Sequence, residues 1–195
     1  VKELIDQGKI GQPRFAVSSI SQHFPTVRPD YQRIYFAKKS MGGGTLFDMC
    51  PHQVNLFEWF LGPEKEISCM LDRLVLDGIE VDDTTSLNIR YRGGAIGQIN
   101  AIMFGLHLRN ELTVHGTEGT VIYDYVKTEV SLHVGGVTNS PPVWAEKFPA
   151  ERDDLYVEQA RHFLAATRGE KPVACTLEEG GQTLRAVFAA QRSAE

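Results

Sequence analysis

The sequence predicts an α+β fold, with one open-faced, mostly antiparallel β-sheet that carries helices on one of its faces. Between residues 66 and 134, six strand-like segments follow one another, and glycine-containing turns separate several of them. Residues 85–91 alternate polar and apolar side chains, which places Leu87, Ile89 and Tyr91 on one face of a strand. Helical periodicity lies before and after these segments, so we expect the helices to cover one face of a single sheet.

In chain order, residues 1–10 read as a helix that stops near Gly8, and Val, Ile and Phe side chains favour a first strand over residues 14–21. Residues 23–40 form a long basic and aromatic connection, a type that is usually functional or carries a short helix. A helical pattern follows the three glycines at 42–44 and stops at Gly62 and Pro63. The later strands are predicted over residues 66–76, 84–92, 95–104, 108–115, 121–126 and 129–134.

Two helices are predicted to end the chain. Asp153 or Asp154 caps the first, and Thr176 with Glu179 has the spacing of a capping box at the start of the second. A glycine pair at 180–181 lies inside the second helix, where each glycine costs about 1 kcal/mol relative to alanine. A close approach of this helix to the sheet would explain the pair.

Composition restricts the possible function classes. The 195-residue chain has a net charge of −5, which argues against nucleic acid and anionic membranes as partners, and no apolar run approaches the length of a bilayer span. Cys50, Cys69 and Cys175 include no CxxC pair, so we expect reduced, buried thiols, no metal site and a cytoplasmic location. We interpret residues 1–195 as one domain. Because the chain begins with Val inside a helical pattern, we expect residues 1–10 to be a linker helix from an absent N-terminal domain.

The residues most suggestive of chemistry follow the three glycines. On a continuous helix Asp48, His52 and Asn55 share one stripe, with Asp48 and His52 one turn apart. A carboxylate at that spacing can hold one imidazole nitrogen, and histidine exchanges protons near neutral pH. Alternatively, Asp48 caps the helix or closes a capping box with Thr45. Pro51 favours a helix that starts near Asp48, where a proline falls in the first turn.

Weaker candidates lie on either side of this block. Arg33, Tyr35 and Lys39 precede the glycines and have the chemistry to line a sugar or sugar-phosphate pocket; the alternative is a solvated basic loop. His107 and Arg109 alternate along a strand, so both point either into a cleft or into water.

The string of Gly42, Gly43 and Gly44 followed by Asp48 and His52 resembles the GGGxxxDxxxH signature of the Gfo/Idh/MocA oxidoreductases. Similar pieces occur in the same order at residues 4–11, 114–120 and 169–172. Together they span nearly the whole chain, but they match only the C-terminal domain of that family. No G-x-G-x-x-G turn is present, so the family's Rossmann domain has no counterpart here.

The resemblance implies hydride transfer between a nicotinamide and a carbinol carbon of a sugar, polyol or related compound. His52 then handles the proton, while Asp48 orients it or contacts a substrate hydroxyl, and Gly43 and Gly44 lie near the nicotinamide. Many members carry Asp where this chain has Asn55, a change that keeps hydrogen bonding but alters the local charge. We expect Asn55, together with the weaker candidates Arg33, Tyr35, Lys39 and Arg109, to contact the substrate.

The expected cofactor is NAD or NADP in the full-length protein, with none bound to this fragment. The resemblance also implies a homodimer or homotetramer formed through the open sheet face. The alternative function is a self-associating or carbohydrate-binding module without catalysis.

Overall fold

The computed structural model describes residues 1–136, 140–148 and 151–195. Eight strands form one sheet and six α-helices accompany it, so the predicted α+β class is confirmed. The strands are β1 (Pro13–His23), β2 (Glu64–Asp72), β3 (Thr84–Tyr91), β4 (Ile96–Ile102), β5 (Phe104–Gly116), β6 (Gly119–Asp124), β7 (Glu129–Val134) and β8 (Trp144–Lys147). The helices are α1 (Lys2–Asp6), α2 (Phe24–Val27), α3 (Thr45–Asp48), α4 (Cys50–Leu61), α5 (Arg152–Thr167) and α6 (Leu177–Ala194). Short 3-10 turns lie at Tyr35–Ala37 and Lys39–Met41.

The sheet has the strand order β2-β3-β4-β1-β5-β6-β7-β8. Neighbouring strands are antiparallel except β1 and β4, which run parallel. After β1 the chain passes through α3 and α4 to β2 at the edge of the sheet, and β3 and β4 then follow in order toward β1. The first strand is therefore inserted between β4 and β5 instead of standing beside β2. The short strand β8 was not among the predicted strands.

Alternate residues of the strands build the main core. Leu87, Ile89 and Tyr91 of β3 are buried on the face that helices cover, as the alternation predicted. Helix α4 packs on β1 and β4 of that face, and α6 packs on β2 and α4. Burial of such apolar side chains is the main stabilising contribution to the fold.

A second, smaller hydrophobic cluster lies beside the main core, between the connection after β1 and the loop after β2. It consists of Phe24, Tyr31, Phe36, Ala37, Leu76, Ile79, Val81 and Met103. This cluster orders the long basic and aromatic connection, so that connection has a fixed place against the sheet.

The last two helices differ from each other. Helix α6 opens with the predicted capping box, in which Thr176 and Glu179 each bond to the other's backbone N–H. The N-cap of helix α5 is Glu151, and Asp154 is its reciprocal partner in a capping box. The sequence analysis had expected Asp153 or Asp154 at the N-cap. A Cβ built at Gly180 meets nothing within 4 Å, so the expected close approach to the sheet is absent there.

The cysteines are all free; Cys50 and Cys69 are buried, whereas Cys175 is exposed, contrary to the expectation for that thiol. Burial raises the pKa of the Cys50 and Cys69 thiols, which keeps them protonated. Among the described residues, none of the helices combines the length and apolar character that crossing a bilayer demands.

Candidate active site

The turn before α3 requires glycine for steric reasons. Gly42 and Gly44 adopt φ of 69° and 92°, a region that other residues rarely occupy. A Cβ at Gly43 would lie 2.1 Å from the carbonyl oxygen of Phe36, which also accepts a hydrogen bond from the Gly44 N–H at 3.0 Å. The three glycines therefore let the chain pass directly beneath the 3-10 turn at Tyr35–Ala37.

A carboxylate from a distant part of the chain caps α3. Asp82, just before β3, accepts hydrogen bonds from the Leu46 N–H at 2.8 Å and from the hydroxyls of Thr45 and Thr85. A negative charge at a helix N-terminus also interacts favourably with the helix dipole. Asp82 thus fixes the start of the helix that ends at Asp48.

The helical pattern is interrupted between Asp48 and His52. Helix α3 ends at Asp48, Met49 stands between the two helices, and α4 begins at Cys50 with Pro51 in its first turn. Pro51 has no N–H to donate to the carbonyl four residues earlier, so one continuous helix would lack that bond. The sequence analysis aligned Asp48 and His52 on one continuous helix. In the structure the two residues belong to two different helices.

Asp48 is held by Tyr35. The Tyr35 hydroxyl donates to Asp48 Oδ1 at 2.5 Å, so the structure joins two of the predicted site residues. This bond, followed by burial and the nearby carboxylate charge, raises the pKa of Tyr35 to about 12. Within the described residues no hydrogen bond joins Asp48 to His52. Asp48 is thus positioned by a phenol rather than serving as the anchor of the imidazole.

His52 lies exposed at the start of α4, beside a hollow of about 520 Å³. The hollow is formed between α4 and the first half of α6, and its lining is Pro51, His52, Asn55, Leu56, Cys175, Gly180, Thr183 and Leu184. Its surface is mostly apolar, with an imidazole, an amide and two short polar side chains. Such a surface suits a small ligand that carries both hydroxyl groups and C–H faces.

Asn55 shares this hollow and is bonded to α6. Its Nδ2 donates to Thr183 Oγ1 at 3.2 Å and lies 3.9 Å from Cys175 Sγ. Thr183 in turn donates to Glu58 Oε2 at 2.5 Å. The sequence analysis missed Thr183 and Glu58; Glu58 follows Asn55 by three residues on α4, a spacing that places both on one face.

The other predicted site residues lie elsewhere. Arg33 is exposed, and the side chain of Lys39 borders a different cavity of about 850 Å³, between the glycine turn and the end of α6. Arg109 pairs with Ser21 across β1 and β5, which places it on the sheet face opposite α4, where it bonds to Glu111 at 3.0 Å. The structure thus brings His52 and Asn55 to one hollow and joins Tyr35 to Asp48, but it does not bring Arg33, Lys39 or Arg109 there.

Gly43 and Gly44 are buried beneath Phe36 and Asp82, and Gly43 also borders the cavity of about 850 Å³ beside Lys39. Over the described parts of the chain, no group of three or more His, Cys, Asp or Glu side chains has an arrangement able to hold a metal ion.

The comparisons with known proteins identify the family. A profile of the GFO/IDH/MocA C-terminal domain matches residues 1–122. The chain belongs to the GFO/IDH/MocA family, as a C-terminal domain. The resemblance that the glycine, Asp48 and His52 pattern indicated is therefore confirmed.

The chain is similar to myo-inositol 2-dehydrogenase of Thermotoga maritima, with 26% identity over all of this chain and 58% of that enzyme. It is also similar to 1,5-anhydro-D-fructose reductase of Ensifer adhaerens, with 24% identity over all of this chain and 57% of that enzyme. The chain thus spans less than two thirds of the length of these relatives.

Among solved structures, levoglucosan dehydrogenase in complex with NADH has the same fold, with a TM-score of 0.86 at 18% identity over 99% of this chain and 59% of that one. The WlbA dehydrogenase of Bordetella pertussis, in complex with NADH and UDP-GlcNAcA, matches with a TM-score of 0.75 at 25% identity over 99% of this chain and 56% of that one. These neighbours are dehydrogenases solved with a nicotinamide cofactor.

Proposed function

We propose that this chain is the substrate-binding and oligomerisation domain of an NAD- or NADP-dependent dehydrogenase that oxidises a sugar, polyol or related hydroxy compound. The observation that carries the proposal is the hollow beside His52, where an exposed imidazole and the Asn55 amide meet an apolar surface. The relatives that match the whole chain act, by their names, on myo-inositol and 1,5-anhydro-D-fructose.

In this proposal His52 is the group that takes the hydroxyl proton of the substrate. Oxidation of a carbinol releases one proton and one hydride, and a neutral imidazole at the mouth of the hollow is a suitable acceptor near pH 7. A bound nicotinamide would supply the hydride acceptor, and loss of the hydride and of the proton would turn the carbinol into a carbonyl. His52 stands exposed, so it can release the proton to water after the step.

Asp48 and Tyr35 form a second polar unit of the proposed site. Because Tyr35 donates to one carboxylate oxygen of Asp48, the remaining acceptor capacity can bind a substrate hydroxyl. Asn55 offers its carbonyl oxygen, because its nitrogen donates to Thr183 and faces Cys175 Sγ. Roles for Arg33, Lys39 and Arg109 in substrate binding, and a contact of Gly43 and Gly44 with the nicotinamide, stay predictions.

We infer a further domain as the partner that brings the cofactor. Helix α5 is exposed along most of its length, although it carries large apolar side chains such as Leu155, Phe163 and Leu164. A helix with so much exposed apolar surface normally packs against something. A Rossmann domain of the same protein, which the relatives have room for in their additional length, fits that role.

A second proposed role is self-association through the sheet face opposite the helices. That face carries Phe15, Val17, Ile96 and Ile102, which no helix of the described chain covers. Two such faces can pack isologously into a dimer, or pair again into a tetramer. The alternative function is a module that self-associates or binds a carbohydrate and takes no part in catalysis.

The test uses the full-length protein that contains this chain, with NAD⁺ or NADP⁺ and a panel of myo-inositol, levoglucosan and related polyols. His52→Ala and Asp48→Asn should each lower kcat by about 10²-fold or more, the usual contribution of a positioned acid or base. Asp77→Asn, an exposed carboxylate in the loop after β2, is the matched control. Loss of activity in the control alone, or full kcat in His52→Ala, overturns the catalytic assignment.

Self-association is measured separately by light scattering on the same protein. A monomer at high concentration overturns that role. The isolated chain should not turn over any member of the panel, because the proposed hydride acceptor is bound by another domain. Turnover by the isolated chain contradicts the proposal that a separate domain brings the cofactor.

A further inference from the structure

Next to the hollow, at a neighbouring cavity of about 560 Å³ that Glu58 and Asn55 both border, lies a cluster of buried oxygen atoms that the proposed chemistry does not use. Glu58 Oε1 of α4, Glu64 Oε1 of β2 and the Tyr91 hydroxyl of β3 are all buried, and none of them has a hydrogen-bond partner from elsewhere in the described chain. Tyr91 itself is fully buried. A buried polar atom without a partner is costly, so this cluster needs an explanation.

A single shared proton explains it. The Glu58 carboxyl lies within hydrogen-bonding reach of Glu64, and no cation lies within 4.0 Å of either in the described parts of the chain. Burial, followed by this contact with Glu64, raises the pKa of Glu58 to about 8. At neutral pH the pair therefore holds one proton, which lies between the two carboxyl groups.

The proton-sharing pair is connected to the hollow through two short steps. Glu58 Oε2 accepts a hydrogen bond from the Thr183 hydroxyl at 2.5 Å, and that same hydroxyl accepts from Asn55 Nδ2 at 3.2 Å. Of the two N–H donors of Asn55, one binds Thr183 and the other has Cys175 Sγ at 3.9 Å, so the carbonyl oxygen is the polar atom left for a ligand. The Thr183 hydroxyl has a second, longer acceptor in the Glu179 backbone carbonyl at 3.2 Å, so the closer acceptor at Glu58 decides where its hydrogen points.

We propose that Glu58 is a positioning residue, which, while it shares a proton with Glu64, holds the Thr183 hydroxyl and through it turns the Asn55 carbonyl oxygen toward a substrate hydroxyl in the hollow beside His52. The proposal rests on the proposed function only for the identity of the ligand as a hydroxy compound. The orientation of Asn55 is a property of the chain itself.

In the part of the chain that the structure describes, no cation is among the groups that shift the pKa of Glu58, so none compensates for loss of the proton. Glu64 faces Glu58 from β2 and opposes a second negative charge, while burial and the two nearby carboxyl groups raise the pKa of the Tyr91 phenol of β3, which stays neutral. Helix α6 contributes neutral Gln182, which donates to Glu64 at 3.0 Å, and Thr183, while the Glu179 carboxylate is bonded to Thr176. The nearest cation of α1, Lys2, is paired with Asp6.

Loss of the proton leaves two carboxylates side by side in a buried place. They repel each other, and if the pair separates, the Thr183 hydroxyl turns from Glu58 to its other acceptor, the Glu179 backbone carbonyl at 3.2 Å. The Asn55 amide then loses its preferred direction. Substrate affinity is therefore expected to weaken as the pH rises through the range in which Glu58 ionises, with less change in the chemical step at His52.

The first experiment observes Asn55 directly, without turnover. In the full-length protein, the side-chain amide resonances of Asn55, assigned by comparison with Asn55→Ser, should shift with a midpoint near pH 8. The shift should disappear in Glu58→Gln, whose amide imitates the protonated acid permanently. An Asn55 resonance that does not titrate, or one that titrates equally in Glu58→Gln, overturns the proposal.

The second experiment measures KM and kcat with NAD⁺ and myo-inositol or levoglucosan. Thr183→Val removes the hydroxyl at nearly constant shape and should raise KM about tenfold, the effect of one lost hydrogen bond, with kcat within about twofold. Thr183→Ser restores the hydroxyl and should restore KM. An unchanged KM in Thr183→Val, or no rescue by Thr183→Ser, overturns the proposal.

The two failures are distinguishable. If the wild-type protein turns over no member of the panel, the proposed function fails, and the resonance titration still decides the positioning role. If turnover is normal but Asn55 does not titrate, only the positioning role fails.

Discussion

The buried carboxylate of Asp83 offers a sharp test of how the candidate site is held. Its side chain is fully buried and accepts hydrogen bonds from the backbone N–H groups of Leu74, Val75 and Leu76 at 2.9, 2.9 and 2.7 Å. The Thr84 hydroxyl donates a fourth bond of 2.9 Å. Burial raises the pKa of Asp83, but the hydrogen bonds outweigh it and hold the pKa below its usual value. The carboxylate therefore orders the loop that forms the second hydrophobic cluster beneath the Tyr35 turn.

The substitution Asp83→Asn preserves the shape but leaves one oxygen acceptor and no charge. In the less costly orientation the new amide nitrogen faces Leu74 and Thr84, because the Thr84 hydroxyl can turn and accept. One backbone N–H then loses its acceptor, and the two others keep only a neutral one. With bonds to charged groups contributing about 1.5 to 3 kcal/mol each, we expect the free energy of unfolding to fall by about 3 kcal/mol.

The assay is thermal unfolding of the full-length protein at pH 7, followed by circular dichroism. At about 2 to 4 °C per kcal/mol for a domain of this size, Tm should fall by roughly 6 to 12 °C. A lowered pKa stabilises the fold above the unfolded-state value and loses that effect as the pH falls through the folded-state value, so the difference should be the same at pH 7 and pH 5. Asp77→Asn, an exposed carboxylate of the same loop, is the control. A Tm of Asp83→Asn equal to that of the control refutes the reasoning.

Three further predictions follow from the geometry. Gly43→Ala should lower the free energy of unfolding by about 1 to 3 kcal/mol in chemical denaturation, because its Cβ would lie 2.1 Å from a carbonyl oxygen, whereas Gly136→Ala, with nothing within 4 Å, should not; equal effects contradict this. Tyr35→Phe should remove one phenol that titrates near pH 12 in ultraviolet absorbance, and it should lower kcat/KM about tenfold. If the absorbance titration near pH 12 is the same in the variant, the bond from Tyr35 to Asp48 is excluded. Gly180→Ala should raise the free energy of unfolding by about 0.5 to 1 kcal/mol, since it fills open space inside a helix; a lower value would show an unseen close contact.

The parts of the structure that were predicted from the sequence depend on short-range patterns. The alternation that buries Leu87, Ile89 and Tyr91 is complete within one strand. The capping box of Thr176 and Glu179 is complete within one helical turn. In both cases the residues that decide the structure are neighbours in the chain, so their spacing alone is informative.

The parts that were missed depend on residues far apart in the chain. Asp82 caps a helix that begins at Thr45, and no local spacing connects the two. The position of β1 between β4 and β5 depends on the whole set of strand pairings, not on the strand's own composition. Pro51 was noticed, but its consequence, a break at Met49 between Asp48 and His52, required the backbone path to be known.

Residues from neighbouring elements therefore support the candidate site on each of its buried sides. Asp82 fixes the beginning of α3, Tyr35 fixes the carboxylate at its end, and Thr183 of α6 fixes the amide of Asn55. None of these supports comes from the exposed side of His52, which is open in the described chain. In the dehydrogenase proposed above, water must be kept away from the carbon that gives up its hydride, so we expect the remaining wall to come from another domain. The polar groups of the candidate site are oriented by their neighbours, and the side of His52 is open. This geometry fits the proposal that a second domain delivers the cofactor from that side.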